Sequence, residues 1–213
     1  MRKKEQAVHI VEALKKEYPE GICSLQYPKP HELLFSVRLS AQCTDERVNQ
    51  VTPALYARFP TLEAFAQADV AEVEALIHSC GFFRAKAKDI VGAAQMMLSD
   101  FGGKVPDKME DLLKLPGVGR KTANLMLGDL YGAPGAVVAD THCIRISGRL
   151  GLTNGTKDPH KVEEQLRKVL PPEESNDFCH RLVLHGRAVR TARTNPYCDK
   201  CVVREWCDSY NKK

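Results

Sequence analysis

The sequence predicts an all-α fold of two helical lobes, and three observations carry that prediction. Apolar residues recur with helical period in nearly every segment. No segment sustains the apolar–polar alternation of a strand. Capping and breaking residues bracket most of the periodic runs.

Val8, Val11 and Leu14 stripe a first amphipathic helix that Pro19 and Gly21 end. Pro28 and Pro30 introduce a second, His31–Leu39, and Thr44 or Asp45 caps a third that runs to Phe59 before Pro60. Asp69 with Glu72 three residues on has the spacing of a capping box for Val70–His78, which Gly81 stops. Arg84–Phe101 is a longer helix closed by Gly102 and Gly103, and Asp107 with Glu110 repeats the capping spacing for Lys108–Lys114. Beyond a glycine turn come Arg120–Leu130, Thr141–Leu150, Pro159–Leu170 after Asp158, and Asn176–Arg190. The Gly-, Pro- and Ala-rich loop Gly132–Ala139 is the expected lobe boundary, giving 25–133 for one domain and 1–24 with 134–213 for the other.

The 213 residues carry 31 basic against 27 acidic side chains, a net charge of +4 that permits nucleic-acid binding without demanding it. Distribution says more: between Phe178 and Pro196 stand Arg181, Arg187, Arg190 and Arg193 and no acidic residue. No signal-peptide pattern begins the chain, and no stretch approaches the ~18 apolar residues of a membrane span. The expected location is therefore the cytoplasm, where eight cysteines stay mostly reduced and their spacing reads as metal chemistry before disulfides.

Leu115–Ala123, LeuProGlyValGlyArgLysThrAla, joins two kinds of chemistry. Pro116, Gly117 and Gly119 form a tight turn that lets backbone approach a ligand, and the following helix turns its first amides and positive dipole end toward the same place. Gly117, Val118, Gly119 and Thr122 thus make a seat for phosphate. Lys121 lies in that first turn, where the dipole disfavours added positive charge. An amine beside a DNA phosphate is a nucleophile candidate. The plain alternative is a surface lysine touching phosphate. Asp140, in AlaAspThrHisCysIleArg (Ala139–Arg145), precedes a helix and by itself reads as an N-cap. Together, an amine and a carboxylate supply what breaking a glycosyl bond requires: attack on the sugar carbon, and stabilisation of positive charge with proton movement.

Taken together the motifs resemble the endonuclease III family of DNA glycosylase/lyases, within the helix-hairpin-helix glycosylase superfamily. The resemblance covers Leu33–Asp45, Gly81–Ala87, the hairpin with Lys121, AspThrHis at Asp140–His142, LeuHisGlyArg at Leu184–Arg187 and the terminal cysteines, in order from about residue 5 to 207. It implies a six-helix barrel carrying the hairpin and a second lobe built from the terminal helices. It implies that Lys121 attacks the sugar C1′ with help from Asp140, that Gln42 fills the gap left by a flipped nucleotide, that Phe82 wedges into the base stack, that Asp45 lines the base pocket and that His142 touches DNA. A ring at position 82 suits stacking on bases; the alternative is a core phenylalanine.

Cys198, Cys201 and Cys207 have the Cys-x2-Cys-x5-Cys spacing of the family's last three ligands to a 4Fe–4S cluster. Where the family places the first ligand this chain has Arg190, and the interval to Cys198 is one residue longer than usual. Two readings follow, a cluster on three cysteines or three reduced thiols held by packing. The other cysteines read as isolated small core residues.

The implied function is a bifunctional DNA glycosylase with abasic-site lyase activity that removes damaged (oxidised) pyrimidines from duplex DNA in base excision repair, acting as a nucleoid-associated monomer. An adenine-mismatch glycosylase is the nearest alternative, but that family lacks the hairpin lysine. A non-catalytic helix-hairpin-helix DNA-binding protein has no need of both Lys121 and Asp140.

Overall fold

The computed structural model describes residues 2–189 and 196–211. Among them there is no strand. In chain order the helices are α1 (Lys3–Glu17), α2 (Pro30–Ser40), α3 (Asp45–Arg58), α4 (Leu62–Ala66), α5 (Val70–Ile77), α6 (Phe83–Asp100), α7 (Met109–Leu112), α8 (Arg120–Tyr131), α9 (Thr141–Leu150), α10 (Pro159–Arg167), α11 (Ser175–Ala188) and α12 (Asp208–Asn211). Short 3-10 turns at His78–Cys80, Pro172–Glu174, Cys198–Lys200 and Arg204–Trp206 join them. None of these helices is long and apolar enough to cross a membrane.

Two compact units divide the chain: Cys23–Tyr131, and Met1–Ile22 with Gly132–Lys213. In the first, α2 is buried along most of its length because Leu33, Leu34, Phe35, Val37 and Leu39 all lose contact with water. Phe65 of α4 sits at the centre of an aromatic cluster, with Phe35 at 4.8 Å between ring centroids, Phe59 at 5.2 Å and Tyr56 at 6.2 Å. A fully buried phenylalanine contributes about 1.5–3 kcal/mol by removal from water, and with the buried Leu62 it anchors this five-residue helix. Caps set several starts: Thr44 accepts the Arg47 amide, Thr61 that of Ala64 and Asp69 that of Ala71. The capping expected of Asp107 does not form, since Lys108 occupies the N-cap of α7 without a side-chain bond and the helix is only four residues long.

In the second unit α1 packs on α11. Its buried face is Ala7, Ile10, Val11 and Leu14, and Val8 stands 45% exposed, because it falls roughly 100° around the helix from Ala7. The amide of Gln6 donates to the Leu150 carbonyl at 2.9 Å and the Trp206 carbonyl at 2.7 Å, tying α1 to the end of α9 and to the C-terminal turns. Arg181 stands apart from the other arginines of the acid-free run Phe178–Pro196. It is 3% exposed, pairs with Glu174 and Asp177, and donates to the Tyr18 carbonyl at 3.1 Å. Arg190 and Arg193 lie outside the described residues.

Candidate active site and nucleic-acid interface

The hairpin is built on an ion pair. Asp89 of α6 accepts from Nε and Nη2 of Arg38 of α2, each at 2.7 Å. Both side chains press against Gly117, where a Cβ would lie 2.6 Å from Arg38 Nε and 2.7 Å from the Asp89 carboxylate, and where φ is +73°. Only glycine satisfies both the left-handed backbone and the close approach. The turn closes with the Val118 amide on the Leu115 carbonyl at 3.1 Å, and α8 begins with Ala123 on Gly119 at 2.9 Å. Gly117 and Gly119 are exposed, Val118 and Thr122 half-buried, and Lys121 is exposed in the first turn of α8.

Gln42 and Phe82 are the only non-glycine residues among those described with left-handed backbone, at φ +54° and +46°. Such a conformation is costly for side chains with a Cβ and is found where surrounding structure enforces it. Phe82 is 67% exposed, not the core residue that was its alternative, and it forms the N-cap of α6. Gln42 is exposed just past the end of α2. Asp45, half-buried at the start of α3, accepts a hydrogen bond from Ser24 Oγ at 2.5 Å. Sequence reading missed what lies beneath these loops. Lys86 is fully buried and donates from Nζ to the carbonyls of Leu39 and Cys80. Burial pulls its ammonium below the usual lysine range, opposed by the neighbouring Cys43 and Cys80.

The other predicted residues belong to the second unit. Asp140 caps α9, its Oδ1 accepting the Cys143 amide at 2.6 Å, so the carboxylate is held in one orientation. His142 is half-buried, with Nδ1 3.3 Å from the Arg145 guanidinium and its ring where a Cβ on Gly186 would be. Burial lowers its pKa; Arg145 and Arg187 act in the same direction and Asp140 against it. The outer face of α9 adds residues that sequence reasoning did not single out. Arg145, Arg149 and Lys157, with Thr141 and Thr156, line a concavity of about 540 Å³.

The cysteines are not isolated. Cys43 and Cys80 meet, as do the buried Cys143 and Cys179. Of the three in the terminal loop, Cys198 is half-buried, Cys201 lies 3.5 Å from Nε2 of the fully buried His185, and Cys207 donates to the Arg149 carbonyl at 3.4 Å. His185 in turn meets the Tyr18 hydroxyl at 3.2 Å. Among the described residues no three His, Cys, Asp or Glu side chains are grouped to hold a metal. The terminal loop supplies three thiols, one short of a four-thiolate set, and nothing in the chemistry below is routed through a cluster.

An all-helical fold with a glycine hairpin, an exposed lysine behind it and a capping aspartate at the head of a helix is the frame in which the comparisons with known proteins fall. The HhH-GPD superfamily of base excision DNA repair proteins matches residues 35–172. Endonuclease III of Synechocystis sp. is 50% identical over 207 residues, covering 97% of this chain and 94% of that protein, and endonuclease III of Escherichia coli is 37% identical over 210, covering 99% and 98%. The structure of a trapped endonuclease III–DNA covalent intermediate superposes with a TM-score of 0.90 at 36% identity, covering 100% of this chain and 99% of that one. A thermostable thymine-DNA glycosylase shares the fold, with a TM-score of 0.85 at 20% identity over 99% and 97%. The chain belongs to the endonuclease III family, DNA glycosylases with abasic-site lyase activity. The adenine-mismatch and non-catalytic alternatives are not favoured.

Proposed function

We propose that the chain excises damaged pyrimidines from duplex DNA and then cleaves the strand at the resulting abasic site, with Lys121 as nucleophile. The observation that carries this reading is an exposed Lys121 in the first turn of α8, directly behind the Gly117–Gly119 hairpin. Relatives whose structures hold DNA, covalently trapped in one case, support it.

In the proposed sequence the hairpin amides and Thr122 hold phosphate while the damaged nucleotide is turned out of the stack, since its glycosidic carbon is unreachable inside a duplex. Phe82 enters the stack, Gln42 occupies the vacated space, and Asp45 faces the extruded base. The Lys121 amine attacks C1′, the bond from C1′ to the base breaks, and the base leaves with a proton. Asp140 stabilises the developing positive charge and relays protons as the sugar ring opens to an imine on Lys121. Loss of a C2′ proton then expels the 3′ phosphate by β-elimination, and water releases the lysine. Basic residues of α9 and His142 contact the DNA backbone.

Borohydride added during reaction should reduce the imine and leave a covalent protein–DNA adduct. Lys121→Gln should abolish trapping while duplex binding persists, because backbone amides carry the phosphate contacts. Efficient trapping by that variant would remove Lys121 from the role.

A further inference from the structure

Lys86 is a buried charge that the chemistry above does not use. It is 0% exposed, in the first turn of α6. Burying an ammonium is expensive unless strong acceptors surround it. Here the acceptors are backbone carbonyls, Leu39 at 2.8 Å and Cys80 at 2.7 Å. Leu39 lies in the last turn of α2, where carbonyls have no helical donor and the dipole is negative. Cys80 ends the 3-10 turn that leads into α6.

These two carbonyls stand just ahead of the two strained residues. Gln42 follows Leu39 by three positions and Phe82 follows Cys80 by two. The Cys43 and Cys80 side chains meet across the same two segments, so the loops are neighbours. The backbone of Lys86 closes the first turn of α6 on the Phe82 carbonyl at 3.1 Å, so one residue bonds Phe82 through its amide and Cys80, two positions earlier, through its side chain. An aliphatic side chain could fill the same space but could not bond both loops. A lysine with three donors can.

We propose that Lys86 is a positioning residue for damage recognition: its ammonium ties the backbone ahead of Gln42 to the backbone ahead of Phe82, and so fixes the separation at which the two side chains enter the duplex. This rests on the reading of Gln42 and Phe82 given under Proposed function.

The test uses the full-length protein with Phe82→Ala, Lys86→Met, Lys86→Gln and the Phe82→Ala/Lys86→Met double variant. Affinity is measured for duplex carrying a tetrahydrofuran abasic analogue, with 2-aminopurine beside the site to report unstacking. Borohydride trapping on a single-stranded abasic oligonucleotide needs no stack opened. Lys86→Met should bind the lesion duplex about tenfold more weakly, the scale of one lost base–aromatic contact, and lose most of the 2-aminopurine signal, while single-strand trapping falls far less. Lys86→Gln, which keeps an amide donor, should recover part of both, and the double variant should lose clearly less than the sum of the two single losses.

If Phe82→Ala weakens binding but both Lys86 variants match the parent, this inference falls and the Phe82 reading stands. If Phe82→Ala itself binds like the parent, the wedge reading falls and takes this one with it. Equal losses on duplex and single strand, additive losses in the double variant, or failure of both Lys86 variants to fold would make Lys86 a core residue only and overturn the proposal.

Discussion

Arg38 and Asp89 meet beneath Gly117, two nitrogens of the guanidinium on one carboxylate oxygen. The hairpin is thereby set by helices α2 and α6 as well as by its own turn bond from Val118 to Leu115. The two hairpin glycines separate on this point. Gly117 has a positive φ and no room for a methyl group, whereas nothing lies within 4 Å of a Cβ on Gly119.

Gly117→Ala should therefore cost stability as well as DNA binding. The left-handed backbone alone costs alanine about 1–2 kcal/mol, which for a chain of this size lowers Tm by roughly 2–8 °C. Gly119→Ala should melt with the parent, so any weakening of duplex affinity by that variant reports close approach to phosphate. Calorimetry and a binding isotherm on both variants check this; equal melting of the two would contradict the steric account.

Asp140 has an observed role and a proposed one, and two substitutions divide them. Asparagine caps about as well as aspartate, so Asp140→Asn should keep the parent's Tm while base excision falls on the order of 100-fold or more. Asp140→Ala should lose the cap too, at about 1 kcal/mol. Single-turnover excision and thermal melts are the measurements. A silent Asp140→Asn would leave only the cap.

Two histidines make stability fall with acid. Burial lowers the pKa of His31, with Lys29 acting the same way and Glu63 against; it likewise lowers that of His142. Both have a model-peptide value of 6.5. A lowered folded pKa means the unfolded chain binds more protons as pH drops through and below that value, so stability is lost in that direction. Urea unfolding at pH 7.5 and 5.5 should show the loss, and His31→Gln should shrink it. Glu32, whose carboxyl burial raises, works oppositely. The difference between parent and variant isolates the histidine. A variant losing as much as the parent would exclude His31 as a source.

Iron content tests the terminal loop. A guanidinium cannot ligate iron, so freshly purified protein should hold less than one full cluster per chain and lose it in air, with Lys121 trapping intact afterwards. Arg190→Cys should raise the iron content and the visible absorbance. Four irons per chain, stable for days in air, would mean that another ligand completes the set.

Period and punctuation made most helices legible: α9 begins and ends where Asp140 and Gly151 place it, and Asp158 caps α10. The lysine and the hairpin were legible because their chemistry is local. Long-range partners were not. Helix α4 is too short to show a period, and the aromatic cluster that Phe65 joins is assembled from three other segments. Arg181 looked like its arginine neighbours until Glu174 and Asp177 closed on it. In the sequence Lys86 is one more lysine in an amphipathic helix, and its bonds to the carbonyls of Leu39 and Cys80 are visible only once the chain has folded. The cysteine pairs join residues 36 or 37 positions apart, which no spacing rule anticipates.

The division of the chain also sets an order of events at the ribosome. The unit bearing the hairpin is one continuous segment, and its last residue is Tyr131. Helix α1 emerges before it but belongs with α11 and the C-terminal turns, which are made last. Domains generally fold as units as they emerge, so the hairpin-bearing unit can take shape while Ala7, Ile10 and Leu14 still wait, uncovered, for their partners. A chain cut short after Tyr131 would carry Lys121 without the carboxylate of Asp140. On the roles proposed above, such a copy would hold the hairpin and its nucleophile before the residue that assists it.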